Sequence, residues 1–234
     1  MPSATTLGVM SSTTGQSFEG TATECAREGA KVVICTAEAF QDQLLQAQAN
    51  IERETGNRPY AFLCDMNDGA SIQVLVDKVV AEVGDIYALA NMCPGPKPGP
   101  FTSFDDAAWE KAFNMCLLSY VRTIRACLPS MKRLGGGRMS KTLAREVGKD
   151  NILVNVIGPG RIGTARIESL NRMRAEKAGV SPEEYEKLDL KSFPMGRYGT
   201  TEEYGKLACF LLSAANTYIS GQVILLDGAM TQAY

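Results

Sequence analysis

Asp65, Asn91, Pro159 and Gly160 each stand directly after a short apolar run of strand character. In a parallel sheet that position is the rim beyond the carboxyl ends of the strands, where ligands bind. The chemistry expected of these residues is therefore ligand binding. Histidine is absent from the chain. That removes Ser-His-Asp and Cys-His hydrolases and argues against a zinc site. Seven cysteines fall at 25, 35, 64, 93, 116, 127 and 209, an odd number with no Cys-x-x-Cys. Most lie within apolar segments, as small buried hydrophobes do in a reducing compartment, so a cytoplasmic protein is expected.

The elements that must position the rim alternate regularly. Lys31–Cys35 is a strand, preceded by a helical segment over about 19–28 that closes at Gly29, a helix-ending glycine. Leu44–Thr55 is helical, Ala61–Cys64 a short strand, and Ser71–Val83 helical with apolar residues at 72, 75, 76, 79, 80 and 83. Ile86–Ala90 is a strand stopped by the turn-rich MCPGPKPGP. A long helical pattern follows from Phe104 to Lys132, with Asp105 as its N-cap. Beyond it the spacing predicts a helix over 140–147, a strand Ile152–Ile157, a charged lid-like region over 165–192, a helix Thr201–Leu212 and a strand Val223–Leu226. Strands joined by crossover helices imply one α/β domain with a parallel sheet covered on both faces.

The composition permits this. The 234 residues are 45% apolar and 21% charged with net charge −2, which gives no reason to expect nucleic acid or an anionic membrane as partner. No apolar run approaches the roughly 20 residues that span a bilayer. The start, MPSATTLGVM, has no positive region, so no signal peptide is expected.

AREGAKVVIC, Cys64-Asp65, NMCPGPKPGPF, NILVNVIGPGRIGT, FPMGRYGTTEEYGKLACFLLS and YISGQVILLDGA occur in this order along the chain. Together they resemble the short-chain dehydrogenases/reductases over nearly the whole length. The resemblance implies a single-domain, Rossmann-type, doubly wound parallel sheet. It also implies an NAD- or NADP-dependent oxidoreductase that interconverts an alcohol and a ketone on a small molecule, as a homo-oligomer, dimer or tetramer. Carried over position by position, it places cofactor contacts at Ser12, Thr14, Gly15, Ser17, Ala37, Asp65, Asn91, Pro159, Gly160, Ile162 and Thr164.

Several functional positions depart from the family pattern. Ser12, Gln16 and Phe18 replace the three glycines of the first turn, leaving Gly15 and Gly20 out of register. Hydroxyls of Ser12, Thr14 and Ser17 can serve phosphate instead; the alternative is a polar turn that binds nothing. The second strand ends in Thr36-Ala37, with neither the acid that favours NAD nor a base that favours NADP, a slight lean away from NAD. Cys116 takes the place of the family's catalytic asparagine, and Asn114, two residues earlier, points elsewhere on a helix.

The largest departure is at GGGRMSKTLAREV, residues 135–147. The family's fifth strand, its serine and its Tyr-x-x-x-Lys pair belong between Arg138 and Ser140, where only Met139 stands. Lys141 belongs to the later part of the helix and cannot inherit the lysine's role. Loss of a central strand is expected to open the sheet, against a total stability of only about 5–15 kcal/mol. Three readings are open. The molecule carries a segment that these 234 residues do not contain, or the chain is a non-catalytic binding or partner subunit that need bind no cofactor, or it runs other chemistry in the same pocket, as dehalogenating relatives do.

Overall fold

The structure, a computed structural model, describes residues 5–10, 16–92, 95, 99–139 and 144–231. Six parallel strands form the main sheet in the order β3-β2-β1-β4-β5-β6: β1 Thr5–Met10, β2 Lys31–Thr36, β3 Tyr60–Leu63, β4 Ile86–Met92, β5 Gly137–Met139 and β6 Ile152–Val154. Two further parallel strands, β7 Val156–Pro159 and β8 Val223–Leu226, pair with each other. The order reverses at β1, which lies between β2 and β4, so the carboxyl ends of β1 and β4 flank the switch point where such sheets bind ligands. The doubly wound fold expected from the sequence is present.

The helices are α1 Gln16–Arg27, α2 Gln41–Thr55, α3 Gly69–Glu82, α4 Asp106–Phe113, α5 Ser119–Arg133, α6 Ala144–Val147, α7 Ala165–Ala178, α8 Pro182–Leu190 and α9 Thr201–Leu212. Alternation along β2 explains the two-sided cover: Val32 and Ile34 face α1 and α2, while Val33 and Cys35 face α3 and α5. Each such fully buried aliphatic side chain contributes about 1.5–3 kcal/mol. Phe18, which stands at a family glycine, is 2% exposed and packs with Ala22, Ile34, Leu44 and Ile51. Its ring is part of the core.

β1 has no counterpart among the strands expected from the sequence. Its TTLGVM carries few apolar residues, and Gly8, opposite Ile34 and Ala90, weakens the strand signal. The long pattern of 104–132 is also more than one helix: a π-helical turn, Asn114–Leu118, separates α4 from α5. Asp105 does cap α4, accepting from the Ala108 N–H at 2.9 Å.

The expectation of a missing central strand is corrected. Gly137-Arg138-Met139 fills the position of β5, pairing along its length with Ile152, Leu153 and Val154 of β6 and through Arg138 with Ala88 of β4. The glycines make this possible. Gly135, at φ +68°, ends α5, and Gly137 lets Met131 lie against the strand, where a Cβ would come within 2.6 Å of its Cγ. The sheet stays closed around a short strand.

Shortness has two consequences. Ala90, Asn91 and Met92 of β4 extend past the last residue of β5, about 10 Å of strand at about 3.3 Å per residue. The expected single strand over 152–157 also divides at Asn155. Its first half pairs with β5, while the second half, among the described residues, pairs with β8 alone. Asn155 fixes the break by donating to the Ile219 carbonyl at 2.7 Å and accepting from the Gln222 N–H at 3.2 Å.

The helix Thr201–Leu212 matches its expected bounds and opens with a capping box. Thr200 accepts from the Glu203 N–H, and Glu203 accepts from the Thr200 N–H at 2.8 Å and from Arg197 at 2.7 Å. The Arg197 guanidinium and the Thr200 N–H hold the Glu203 carboxyl down at about 2, below its unfolded value. Its contribution is therefore complete above pH about 4.5 and is lost as pH falls toward 2. The side chain is 42% exposed, so solvent screening limits the contribution to about 0.5–1 kcal/mol. Thermal melts of wild type and Glu203→Gln should differ at pH 7 and converge near pH 2.

Candidate functional site

The rim is assembled from both sides of the switch point. On β4, Asn91 lies opposite Val9 of β1. Its Oδ1 accepts from the Thr123 hydroxyl on α5 at 2.9 Å, which fixes the amide. Its Nδ2 is buried and has no hydrogen-bond partner among the described residues. An unpaired buried amide donor costs about 1–3 kcal/mol, so this N–H is a ready contact for a ligand oxygen. Thr123 could not be singled out from the sequence, because a threonine inside an apolar helical stripe gives no signal.

Beyond β7, Pro159 is exposed at the strand end and the Gly160 N–H donates to the Leu226 carbonyl at 3.0 Å. A Cβ on Gly160 would sit 2.7 Å from the Cα of Asp227, so this glycine is required by close packing of the turn. Ile162 is 5% exposed and packs with Tyr204 and Ala208, leaving only its backbone on the rim. Thr164 occupies the N-cap of α7, yet its hydroxyl makes no capping bond. Asn91 and Thr164 are thus two polar side chains with unspent hydrogen-bonding capacity at this edge.

The other half of the rim is more occupied. Asp65 is exposed, and its Oδ1 accepts from the backbone and side-chain N–H groups of Asn67 at 2.9 and 3.0 Å. Ala37 is extended and leads into a short 3-10 turn, Glu38–Phe40. Ser17 lies in the first turn of α1. Ser12, Thr14, Gly15 and Lys141 fall outside the described residues. Cys116 is half-buried within the π-helical turn, and Asn114 is tied to the loop after β3, donating to the Asn67 carbonyl at 3.2 Å and accepting from Arg122 at 2.6 Å.

Proton-transfer groups are the weak part of the site. No Tyr-x-x-x-Lys occurs anywhere in the 234 residues. Tyr198 lies in the segment before α9 and Tyr204 on α9. Burial and the Asp189 carboxylate, which accepts from its hydroxyl at 2.8 Å, raise the Tyr198 phenol above its usual value. Burial alone pushes Tyr204 up to about 12. A tyrosine that exchanges protons near neutral pH needs the opposite shift.

Tyr198 belongs instead to a lid clasp. Arg161 pairs with Asp189 at 3.1 Å, with the side chains 18% and 11% exposed. Asn171 donates to the Tyr198 hydroxyl at 2.9 Å and accepts from Arg161 at 3.3 Å. The network joins the turn after β7 to α7, α8 and the segment before α9, so the charged region over 165–192 is pinned to the rim. Among the described residues no group of three or more potential metal ligands forms, and no helix is long and apolar enough to cross a membrane.

A parallel sheet reversing at β1, with its carboxyl edge lined by an asparagine, a Pro-Gly turn and an uncapped threonine, defines a Rossmann-type dinucleotide-binding architecture. The family description "short chain dehydrogenase" matches residues 18–139, and a second, "Enoyl-(Acyl carrier protein) reductase", matches 136–231. The chain belongs to the short-chain dehydrogenase/reductase family. The two matches meet at Gly136–Met139, the segment that forms the short β5.

Similar proteins include the 7alpha-hydroxysteroid dehydrogenase of Escherichia coli K12, 25% identical over 88% of this chain and 87% of that protein. The 3-oxoacyl-[acyl-carrier-protein] reductase FabG of Chlamydia trachomatis is 27% identical over 88% of this chain and 89% of its own length. Among solved structures, L-sorbose reductase from Gluconobacter frateurii, complexed with NADPH and L-sorbose, superposes with a TM-score of 0.86 at 23% identity, covering 99% of this chain and 98% of that one. NAD+-bound xylitol dehydrogenase gives 0.83 at 19% identity, covering 98% and 100%.

Proposed function

We propose that the chain is a nicotinamide-dependent oxidoreductase that takes NADP in preference to NAD along the carboxyl edge of β1, β2 and β4 and interconverts a small alcohol and ketone. The buried, unpartnered Nδ2 of Asn91 carries this reading, because a ligand oxygen at that point removes its cost. Thr164, with a hydroxyl free of capping duty, and the exposed Pro159 end of β7 offer the adjoining contacts. Thr36 and Ala37 present no carboxylate to a 2′-phosphate at the end of β2, which supports the preference for NADP. Solved relatives with this fold hold NADPH or NAD+.

The bound nicotinamide supplies hydride chemistry. The chain's own residues orient the ligand, and without a Tyr-x-x-x-Lys pair the proton at the substrate oxygen comes from water. A positioned general acid accelerates such a step by roughly 10²–10⁴-fold, so turnover should be slower by that factor than in a family member with the pair. A second reading is favoured by the same missing pair together with the exposed apolar row Trp109, Phe113, Leu117 and Val121, which runs from α4 through the π-helical turn into α5: a catalytically inactive member serving as a binding or partner subunit. Under either reading this row is the proposed contact of a cytoplasmic homodimer or tetramer, and neither nucleic acid nor a membrane is a partner.

Titration of the purified protein with NADPH and NADH tests the first reading through nicotinamide fluorescence, followed by ketone-dependent NADPH consumption. Saturable binding with slow turnover is expected. Binding without turnover favours the partner subunit, and no binding of either nucleotide rules out the oxidoreductase.

A further inference from the structure

Cys25 on α1 and Cys209 on α9 are both buried, 3% and 9% exposed, in one apolar cluster with Phe18, Ala22 and Leu44. Both are free thiols, and the Cys25 S–H donates a hydrogen bond to the Cys209 sulfur. Neither belongs to the rim.

Neighbouring glycines explain how two helices bring these sulfurs together. Ordinary side chains hold packed helix axes about 8–10 Å apart. Here Gly20 of α1 faces Gly205 of α9, where a Cβ on Gly205 would stand 2.4 Å from the Gly20 carbonyl oxygen and 3.0 Å from the Glu24 Cγ. Cys25 follows Glu24 directly, and Cys209 lies one turn beyond Gly205. Backbone contact on one turn thus delivers the two thiols to each other on the next. A disulfide needs Cα atoms about 4.4–6.8 Å apart, a span favoured where helices touch through glycine.

The pair also differs chemically from other core cysteines. Burial pushes the Cys64 and Cys127 thiols up, the state of an inert structural cysteine. The hydrogen bond from Cys25 instead holds Cys209 below its ordinary value, while the same bond and burial push Cys25 up. Cys209 is therefore the readier thiolate and the more exposed of the two.

We infer that Cys25 and Cys209 are a peroxide-oxidisable pair that closes to an intrachain disulfide and staples α1 to α9. The Cys209 thiolate attacks one oxygen of hydrogen peroxide, the O–O bond breaks, and the departing hydroxide takes a proton to become water. The Cys25 sulfur then displaces the oxygen of the sulfenic acid, and a second water leaves as the S–S bond forms. The two thiols give up two electrons, and one peroxide is reduced to two waters. This chemistry does not depend on whether the chain binds a nucleotide.

Tryptic mapping of the full chain is the test. Cleavage after Arg27 and Lys206 puts Cys25 and Cys209 in the fragments 1–27 and 207–234, neither of which holds another cysteine. The folded protein is treated with equimolar hydrogen peroxide and its remaining thiols are alkylated before digestion. The two fragments should then be recovered as one linked species, which dithiothreitol separates. Oxidised protein should melt about 4–16 °C above reduced protein. Cys25→Ala should give no linked species and should carry a dimedone adduct on fragment 207–234. Separately alkylated fragments from peroxide-treated wild type, or either cysteine joined to a different one, overturn the inference. So does a linked species that brings no gain in melting temperature.

Discussion

Replacing Gly20 with valine should lower the melting temperature by about 4–12 °C, from a net loss of about 2–3 kcal/mol. Gly20 lies within α1 where α9 crosses it. A Cβ there would come 2.4 Å from the carbonyl oxygen of Thr201, and one on Gly205 would come equally close to the carbonyl of Gly20. Both obstacles are backbone, so neither can rotate away and the helices must separate. Helix propensity works in the opposite direction, since glycine inside a helix costs up to about 1 kcal/mol, but overpacking against backbone on both sides outweighs it. Gly148→Ala provides the control. Nothing lies within 4 Å of a Cβ at Gly148, and its melting temperature should barely move. If Gly20→Val melts like wild type, α1 and α9 do not touch as described.

Asp189→Ala should be comparably severe, at about 2–4 kcal/mol and a melting temperature about 5–15 °C lower. It leaves Arg161, only 18% exposed, without its carboxylate, and it removes the acceptor of the Tyr198 hydroxyl. Because much of this cost is the orphaned charge, the double substitution Arg161→Met with Asp189→Leu should be less damaging than the single one. The clasp holds α7 and α8 against the rim, so trypsin should cut Asp189→Ala within residues 165–192 faster than wild type. Unchanged melting and cleavage would show that the clasp does not hold the lid.

Much of this architecture is legible in the sequence. Short apolar runs of strand type locate β2, β3, β4 and β8 closely, and helical spacing of apolar residues locates α9. β1 is not legible, since Gly8 and the threonines dilute its apolar signal and its place is set by pairing with β2 and β4 on either side. β5 is hidden for a different reason: Gly137-Arg138-Met139 has little strand propensity and becomes a strand because two neighbours offer unpaired ladder groups. The division at Asn155 follows from that short strand and could not be seen without it.

The site is legible where it depends on strand ends and illegible where it depends on contacts across the sheet. Asp65, Asn91, Pro159 and Gly160 follow from the chain's own punctuation. The orientation of the Asn91 amide is fixed by Thr123, which is distant in sequence. Phe18 shows the opposite hazard: it stands at a family glycine in the first turn, yet its ring packs into the core.

The central claim is that a dinucleotide-binding frame persists around a rim that lacks the proton-transfer pair. Fluorescence titration of the purified chain with NADPH tests it most directly. A saturable rise in nicotinamide emission, weaker with NADH, and diminished when Asn91 is replaced by leucine, is the predicted result. No saturable change with either nucleotide, for a protein that melts cooperatively, would contradict it.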